Sequence, residues 1–267
     1  MQKTIFITGA STGLGRATAK LFQAKGWKVI ATMRNPEKET ELKGLENVTV
    51  LPLDVTNLSQ IKTTVKDAIA LGVDVVFNNA GYGLIGALEA LTDEQIVKQL
   101  NTNLLGVIRV TQAFIPYFRE KKDGLFITTT SIGGLIAFPL GSTYHATKWA
   151  LEGWSESMAF ELNRFGVNIK TVSPGGIATD FATRSLDLAS TPAYDDILQT
   201  LMGGFEAMME QSSSAEQIAE VVYEAATDGK NKLRYVAGED AKALYAQRLA
   251  LGDESFREML GKQFLGN

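Results

Sequence analysis

The segment Thr8-Gly9-Ala10-Ser11-Thr12-Gly13-Leu14-Gly15 follows directly on the apolar run Ile5-Phe6-Ile7. An apolar run that ends in a glycine-rich turn and then turns helical is the opening half of a β-α-β unit. Three glycines at such a junction meet separate needs: a tight turn, close approach of backbone to phosphate, and close packing of helix on strand. The helix start adds free N–H groups and a partial positive charge, which suit a pyrophosphate. A purely structural tight turn is the other reading of the same glycines. Its place at the first strand–helix junction favours the dinucleotide.

The remainder of the chain repeats the alternation. Strands are expected at 4–7, 28–32, 48–53, 73–78, 124–129, 167–173 and 233–236. Most are nearly continuous apolar runs, as strands buried on both faces of a parallel sheet require. Helix punctuation lies between them: Gly26 after the first helix, Thr92 before a helix over 93–104, and Gly166 after one over 143–165. With no internal repeat or linker, this predicts one α/β domain over 1–267. It is doubly wound and Rossmann-type, with a parallel sheet of about seven strands in the order 3-2-1-4-5-6-7. Pro52 interrupts the third strand, and that order makes the third strand an edge, where proline is tolerated. Residues 180–215 break the rhythm with Phe181, Leu186, Leu188, Tyr194, Met202, Phe205, Met208 and Met209. An apolar, methionine-containing excursion here reads either as a substrate lid or as two short helices packed on the core.

Composition removes several function classes. The absence of cysteine excludes disulfides and thiolate metal sites, and a single histidine, His145, excludes a histidine-rich metal centre. The net charge of −4 and the lack of a dense basic run argue against a nucleic-acid surface. No apolar run of about 18 residues suggests a membrane span. The first strand begins within five residues of Met1, so no leader is expected and the cytoplasm is the expected location.

Cofactor choice is argued from Ala31-Thr32-Met33-Arg34, the end of the second strand. NAD sites place a carboxylate there for the ribose 2′-hydroxyl. Met33 cannot accept those bonds, whereas Arg34 is a planar cation suited to a 2′-phosphate. NADP(H) is therefore expected over NAD(H), against the alternative that Arg34 simply faces solvent. Asp54-Val55 at the end of the third strand fits either an adenine-edge contact or an ordinary helix start.

The second informative segment is Tyr144-His145-Ala146-Thr147-Lys148. Four residues apart on a helix, Tyr144 and Lys148 are neighbours. A cation about 4 Å from the phenol contributes on the order of 4 kcal/mol at an effective dielectric of about 20. That is roughly three pKa units, enough to bring a tyrosine from about 10 to near 7. The expectation is a phenol able to act as acid and base. His145 projects from another helical face and is not expected to share that work.

Other pieces fall at strand ends, where open α/β sheets bind ligands. Thr128-Thr129-Thr130-Ser131-Ile132-Gly133-Gly134 closes the fifth strand, Asn78-Asn79-Ala80-Gly81 the fourth, and Pro174-Gly175-Gly176-Ile177-Ala178-Thr179 the sixth. Asn103 lies in Asn101-Thr102-Asn103-Leu104-Leu105-Gly106. As a set, ordered and spaced in this way, these motifs resemble the short-chain dehydrogenase/reductase family in its branch of about 250 residues. The resemblance is dense from residue 4 to about 180. It implies that Tyr144 exchanges the substrate proton and that Lys148 lowers its pKa and binds the nicotinamide ribose. Ser131 would orient the carbonyl oxygen, and Asn103 would support a proton-relay water. The implied cofactor contacts are Gly9, Ser11, Thr12, Gly13, Leu14, Gly15, Arg34, Asp54, Val55, Asn79, Ala80, Gly81, Tyr144, Lys148, Pro174, Gly175, Ile177 and Thr179. Two departures stand out. Thr128-Thr129-Thr130 replaces an Asn- and Ser-containing run, and Thr12 occupies a position that is often basic in NADP-using members.

The expected function is hydride transfer between NADP(H) and a ketone or secondary alcohol. Tyr82, Leu84, Ile85, Leu135, Ile136 and Phe138 suggest a hydrophobic substrate. A non-catalytic dinucleotide sensor would show an eroded Ser131, Tyr144, Lys148 and Asn103 set. A sugar-nucleotide epimerase would need a longer chain, and an enoyl reductase a wider tyrosine–lysine spacing. By resemblance, a homo-oligomer (dimer or tetramer) is expected.

Overall fold

Apolar strands that cannot face water on either side must be stacked between helices, and seven such strands form one parallel sheet here. The computed structural model describes residues 2–178, 186–210 and 212–265. In chain order, β1 (Thr4–Ile7), α1 (Gly13–Ala24), β2 (Lys28–Met33) and β3 (Val48–Pro52) form the first half. Next come α2 (Leu58–Leu71), β4 (Val75–Asn78), a short β5 (Gly83–Ile85), α3 (Asp93–Leu100) and α4 (Gly106–Lys121). The chain continues through β6 (Gly124–Thr129), α5 (Ser142–Leu162), β7 (Val167–Pro174), β8 (Ile177–Ala178) and β9 (Leu186–Leu188). It closes with α6 (Asp195–Glu210), β10 (Ser213–Ser214), α7 (Ala215–Thr227), β11 (Arg234–Ala237), α8 (Glu239–Leu251) and α9 (Asp253–Leu265).

The main sheet runs β3-β2-β1-β4-β6-β7-β11, all parallel. Counting only its seven strands, this is the order 3-2-1-4-5-6-7. Pro52 closes β3 at the edge, where it removes no needed donor. Side chains alternate between two cores. Ile5, Ile7, Val29, Phe77 and Val172 meet α1 and α7 on one face. On the other, Phe6, Val76, Phe126 and Ile169 meet α2, α4 and α5, with Phe6 edge-on to Phe114 at 5.0 Å. Each ring so buried stabilises the fold by about 1.5–3 kcal/mol.

Two expectations are refined. The helix expected over 93–104 ends at Leu100 and passes into a π-helical turn, Asn101–Leu105, before α4. Its start is as expected: Thr92 and Gln95 form a capping box. Two small strand pairs, β5 with β9 and β8 with β10, were not foreseen. Part of the proposed lid, including Phe181, lies outside the described residues, as do the side chains of Phe205, Met208 and Met209. Its described elements are β9, a 3-10 turn at Pro192–Tyr194, α6 and β10.

Candidate active site

The turn after β1 needs its glycines for reasons visible in the backbone. Gly9 has φ +68°, and a Cβ there would lie 2.8 Å from Ala80 Cα. A Cβ on Gly15 would drive into the Gly9 carbonyl and come within 2.6 Å of Asn79 Nδ2. Asn79 in turn donates to the carbonyls of Thr8 and Gly9, both at 3.1 Å, and Thr129 Oγ1 reaches its Oδ1 at 3.4 Å. Thr8 Oγ1 accepts from the backbone of Asn79 and Ala80 at 2.9 and 3.0 Å. The end of β4 thus braces the turn, and the first-turn N–H groups at Gly13, Leu14 and Gly15 have no intrahelical acceptor. A cavity of about 240 Å³ opens beside them, lined in part by Gly13, Arg16 and Ala178. A backbone closed to any side chain, with free donors at a helix start, fits a dinucleotide pyrophosphate.

Arg34 stands exposed one residue past β2 and forms no ion pair among the described residues. Arg16, which the sequence did not single out, is committed: it donates to Ser11 O at 2.8 Å and Glu41 Oε2 at 2.6 Å, and pairs with buried Glu39. Ser11 is exposed, Thr12 half-buried and Leu14 buried. Asp54 turns its carboxylate onto Thr56, accepting from N at 2.9 Å and Oγ1 at 2.7 Å, and Val55 packs under Gly106. The helix that follows is capped by Asn57, so Asp54 is not itself the helix start. Pro174, the last residue of β7, is buried; beyond it Gly175 N donates to Ala237 O at 3.1 Å, and Gly176 N donates to Asp240 Oδ2 at 2.7 Å. Asp240 was also missed, because a helix-start aspartate looks like a solvent residue in sequence. Gly81 is exposed, Ile177 is half-buried in β8, and Thr179 lies outside the described residues.

The reacting groups come from two elements. Ser131, just past β6, accepts from Gly133 N at 2.9 Å, which leaves its own proton free to donate. Its hydroxyl is a hydrogen-bond partner of the Tyr144 phenol. Lys148, one helical turn on, is buried; its Nζ donates to Thr129 O at 2.9 Å and lies 5.8 Å from the Tyr144 ring centroid. The expectation of a phenol near 7 is corrected. Burial holds the Tyr144 hydroxyl above its ordinary 10, with Ser131 acting the other way. The Lys148 ammonium donates to the Thr129 carbonyl and stands over the Tyr144 ring without reversing the effect of burial. Burial also pulls Lys148 itself down to about 8, against the pull of Glu152.

Asn103 sits buried in the π turn, a feature common at functional sites. Its side chain clamps a backbone: Oδ1 accepts from Tyr82 N at 3.0 Å, and Nδ2 donates to Tyr82 O at 2.8 Å. Gln99 adds a second donor to that carbonyl at 3.0 Å. Beside the serine turn, Ile85, Leu135 and Ile136 are buried in one apolar cluster with Phe256, Leu260 and Phe264, and Phe138 packs against it. Leu84 is buried, while Tyr82 is half-buried.

The sequence model described as "short chain dehydrogenase" matches residues 3–188. The chain belongs to the short-chain dehydrogenase family. An uncharacterized oxidoreductase of Schizosaccharomyces pombe is 39% identical over 233 residues, 86% of this chain and 99% of that protein. A short-chain dehydrogenase from Streptomyces avermitilis superposes with a TM-score of 0.85 at 31% identity, covering 98% of this chain and 95% of its own. ElxO, solved with NADP bound, gives a TM-score of 0.78 at 25% identity, covering 91% of this chain and all of its own. Family membership makes the chain an oxidoreductase of short-chain dehydrogenase type. Among the described residues, no helix is long and apolar enough to cross a membrane.

Proposed function

We propose that this short-chain dehydrogenase is NADP-dependent and interconverts a hydrophobic ketone with its secondary alcohol. The reading is carried by Ser131, Tyr144 and Lys148 meeting at the carboxyl edge of the sheet, beside the glycine turn. The bound nicotinamide would supply hydride exchange; everything else falls to the chain. Gly9, Gly13, Gly15 and Asn79 would hold the dinucleotide. Arg34 is proposed to take the 2′-phosphate, since it is exposed and uncommitted and no carboxylate stands at residues 33–34. The NADP carried by ElxO supports that choice.

In the ketone-reducing direction, Ser131 donates to the carbonyl oxygen and Tyr144 gives up its proton to it. A phenol held above 10 is protonated at neutral pH and ready to donate. In the alcohol-oxidising direction, the Lys148 ammonium favours the phenolate that must form. The Asn103 side chain is spent on Tyr82, so a relay contribution is proposed for its backbone carbonyl, in a turn where helical bonding is irregular. The apolar cluster beside the serine turn supports a hydrophobic substrate, with 186–210 as part of a lid. Trp149 and Phe160, exposed on α5, support a homo-oligomer.

The test is turnover of aliphatic, aromatic and steroid ketones, with NADPH and NADH affinities read by fluorescence titration. Tyr144→Phe should lower kcat by about 100-fold or more while NADPH binding stays near wild type. Near-native turnover in that variant would remove Tyr144 from its role. A preference for small charged ketones, or tighter NADH than NADPH, would overturn the substrate or cofactor assignment respectively.

A further inference from the structure

Glu152 has no part in the reaction as proposed, yet the residue is only 4% exposed, one turn beyond Lys148 on α5. A buried charge without partners is strongly unfavourable, so such a carboxylate has to be paired. Here both oxygens are occupied. Oε1 accepts from Thr130 Oγ1 at 2.5 Å and Ser173 Oγ at 2.9 Å. Oε2 accepts from Thr171 Oγ1 at 3.2 Å and the Arg234 guanidinium at 2.8 Å.

Three consecutive residues at the end of β6 thereby meet three successive turns of α5. Ser131 meets Tyr144, the Thr129 carbonyl accepts from Lys148, and Thr130 meets Glu152. Gly134 permits this seating, because a Cβ there would lie 2.8 Å from the Lys148 carbonyl oxygen and 3.2 Å from Glu152 Cγ. Thr130, one of the departures from the family's usual run, is a hydroxyl that the buried carboxylate uses.

We propose that Glu152 is a positioning residue of the site: anchored by Thr130, Thr171, Ser173 and Arg234, its carboxylate keeps the Lys148 ammonium charged and registers the end of β6 on α5. This rests on the roles given to Tyr144 and Lys148 above. Lys148 is weakened by burial, and the Glu152 charge opposes that weakening. The other ionisable groups around the cluster are Tyr144, His145 and Glu156 of α5, Arg234 of β11 and Tyr245 of α8. Burial keeps Tyr144 and His145 in their neutral forms, while Glu156 and Tyr245 act on Arg234. Lys170 of β7 is paired with Asp228 and stands apart.

The test follows the titration of Lys148 by NMR in protein labelled at lysine Cε, with Lys148→Met identifying the resonance. The pH profile of kcat/KM is measured alongside. Glu152→Gln should lower the Lys148 midpoint by about one unit or more and move the ammonium-dependent limb of the rate profile with it. Thr130→Val removes a hydrogen bond but no charge, and should leave the midpoint in place. Arg234→Gln removes the opposing cation and should raise the midpoint, which keeps the test decisive if Glu152→Gln does not fold. An unmoved midpoint in Glu152→Gln, or a lowered one in Arg234→Gln, overturns the proposal. A midpoint that moves under a fixed rate profile upholds the coupling and instead removes Lys148 from the reaction.

Discussion

His145 is the residue next to the reacting phenol, and its surroundings assign it a different task. Ring Nδ1 lies 2.7 Å from the Gly133 carbonyl, and Nε2 accepts from Phe138 N at 2.9 Å. A carbonyl can only accept and an amide N–H can only donate, so the neutral Nδ1–H tautomer satisfies both. The ring staples the turn that follows Ser131 onto α5. Burial lowers its pKa below the ordinary 6.5, with the Gly133 carbonyl acting the other way. The unfolded chain then binds a proton, below about 6.5, that the folded chain refuses, so stability falls as pH drops from there towards the folded pKa. With one histidine in the sequence, a slope between about pH 5 and 6.5 belongs to His145 more than to carboxylates. Urea unfolding of the wild type should therefore show stability declining across that window. His145→Ala should flatten the decline and cost about 2 kcal/mol or more at pH 7, from two unpaired backbone groups. An undiminished slope in the variant would assign it elsewhere.

At the level of elements, what could be read in advance was what local chemistry decides. The seven strands and the helix start at Thr92 follow from periodicity and turn residues, and the strand order, with Pro52 at its edge, from the repeated β-α-β pattern. The π turn at Asn101–Leu105 did not, because one extra residue in a helical turn leaves no mark in an apolar pattern. Strands of two or three residues, such as β8 and β10, exist only through their partners. In the site, Ser131, Tyr144 and Lys148 were legible as a set, whereas the phenol's charge state was not. Spacing gives proximity, but only the fold gives burial and the direction of an ammonium. Glu152 escaped because buried acids are rare, and Asp240, half-buried, because a helix-start aspartate reads as solvent-facing. The third glycine's packing role was legible, and it yields an element-scale prediction. Gly15→Ala puts a methyl against the Gly9 carbonyl and Asn79 Nδ2, both parts of a rigid turn, so α1 must lift off β1. Overpacking of this kind costs about 1–3 kcal/mol. NADPH affinity should fall at least tenfold, about 1.4 kcal/mol, and circular dichroism should still report a folded chain. Wild-type affinity would show that the turn yields where its hydrogen bonds say it should not.

Over the whole molecule, the dinucleotide end and the apolar end of the site rest on different supports. The glycine turn is braced by β4 and α1, deep in the two sheet-facing cores. The serine turn leans on a third cluster that draws Phe256, Leu260 and Phe264 from the C-terminal helix α9. Phe264 stands edge-on to Phe138 at 5.9 Å, and the Phe138 N–H holds His145, which in turn holds Gly133 beside Ser131. A contact chain thus runs from the last described helix to the reacting hydroxyls without touching the glycine turn. Phe264 is 6% exposed and also packs at 3.3 Å from the position a Gly204 Cβ would take, which ties α9 to α6. Phe264→Ala should then destabilise the fold by about 3 kcal/mol, as large-to-small changes in cores do. Its functional signature should be one-sided: KM for the ketone rises several-fold while NADPH affinity stays within about twofold, below 0.5 kcal/mol. A lowered Tm with unchanged KM would make α9 a brace for stability alone. Equal losses of ketone and NADPH binding would mean that the two ends of the site respond as one body, and that the third cluster does not support the ketone end separately.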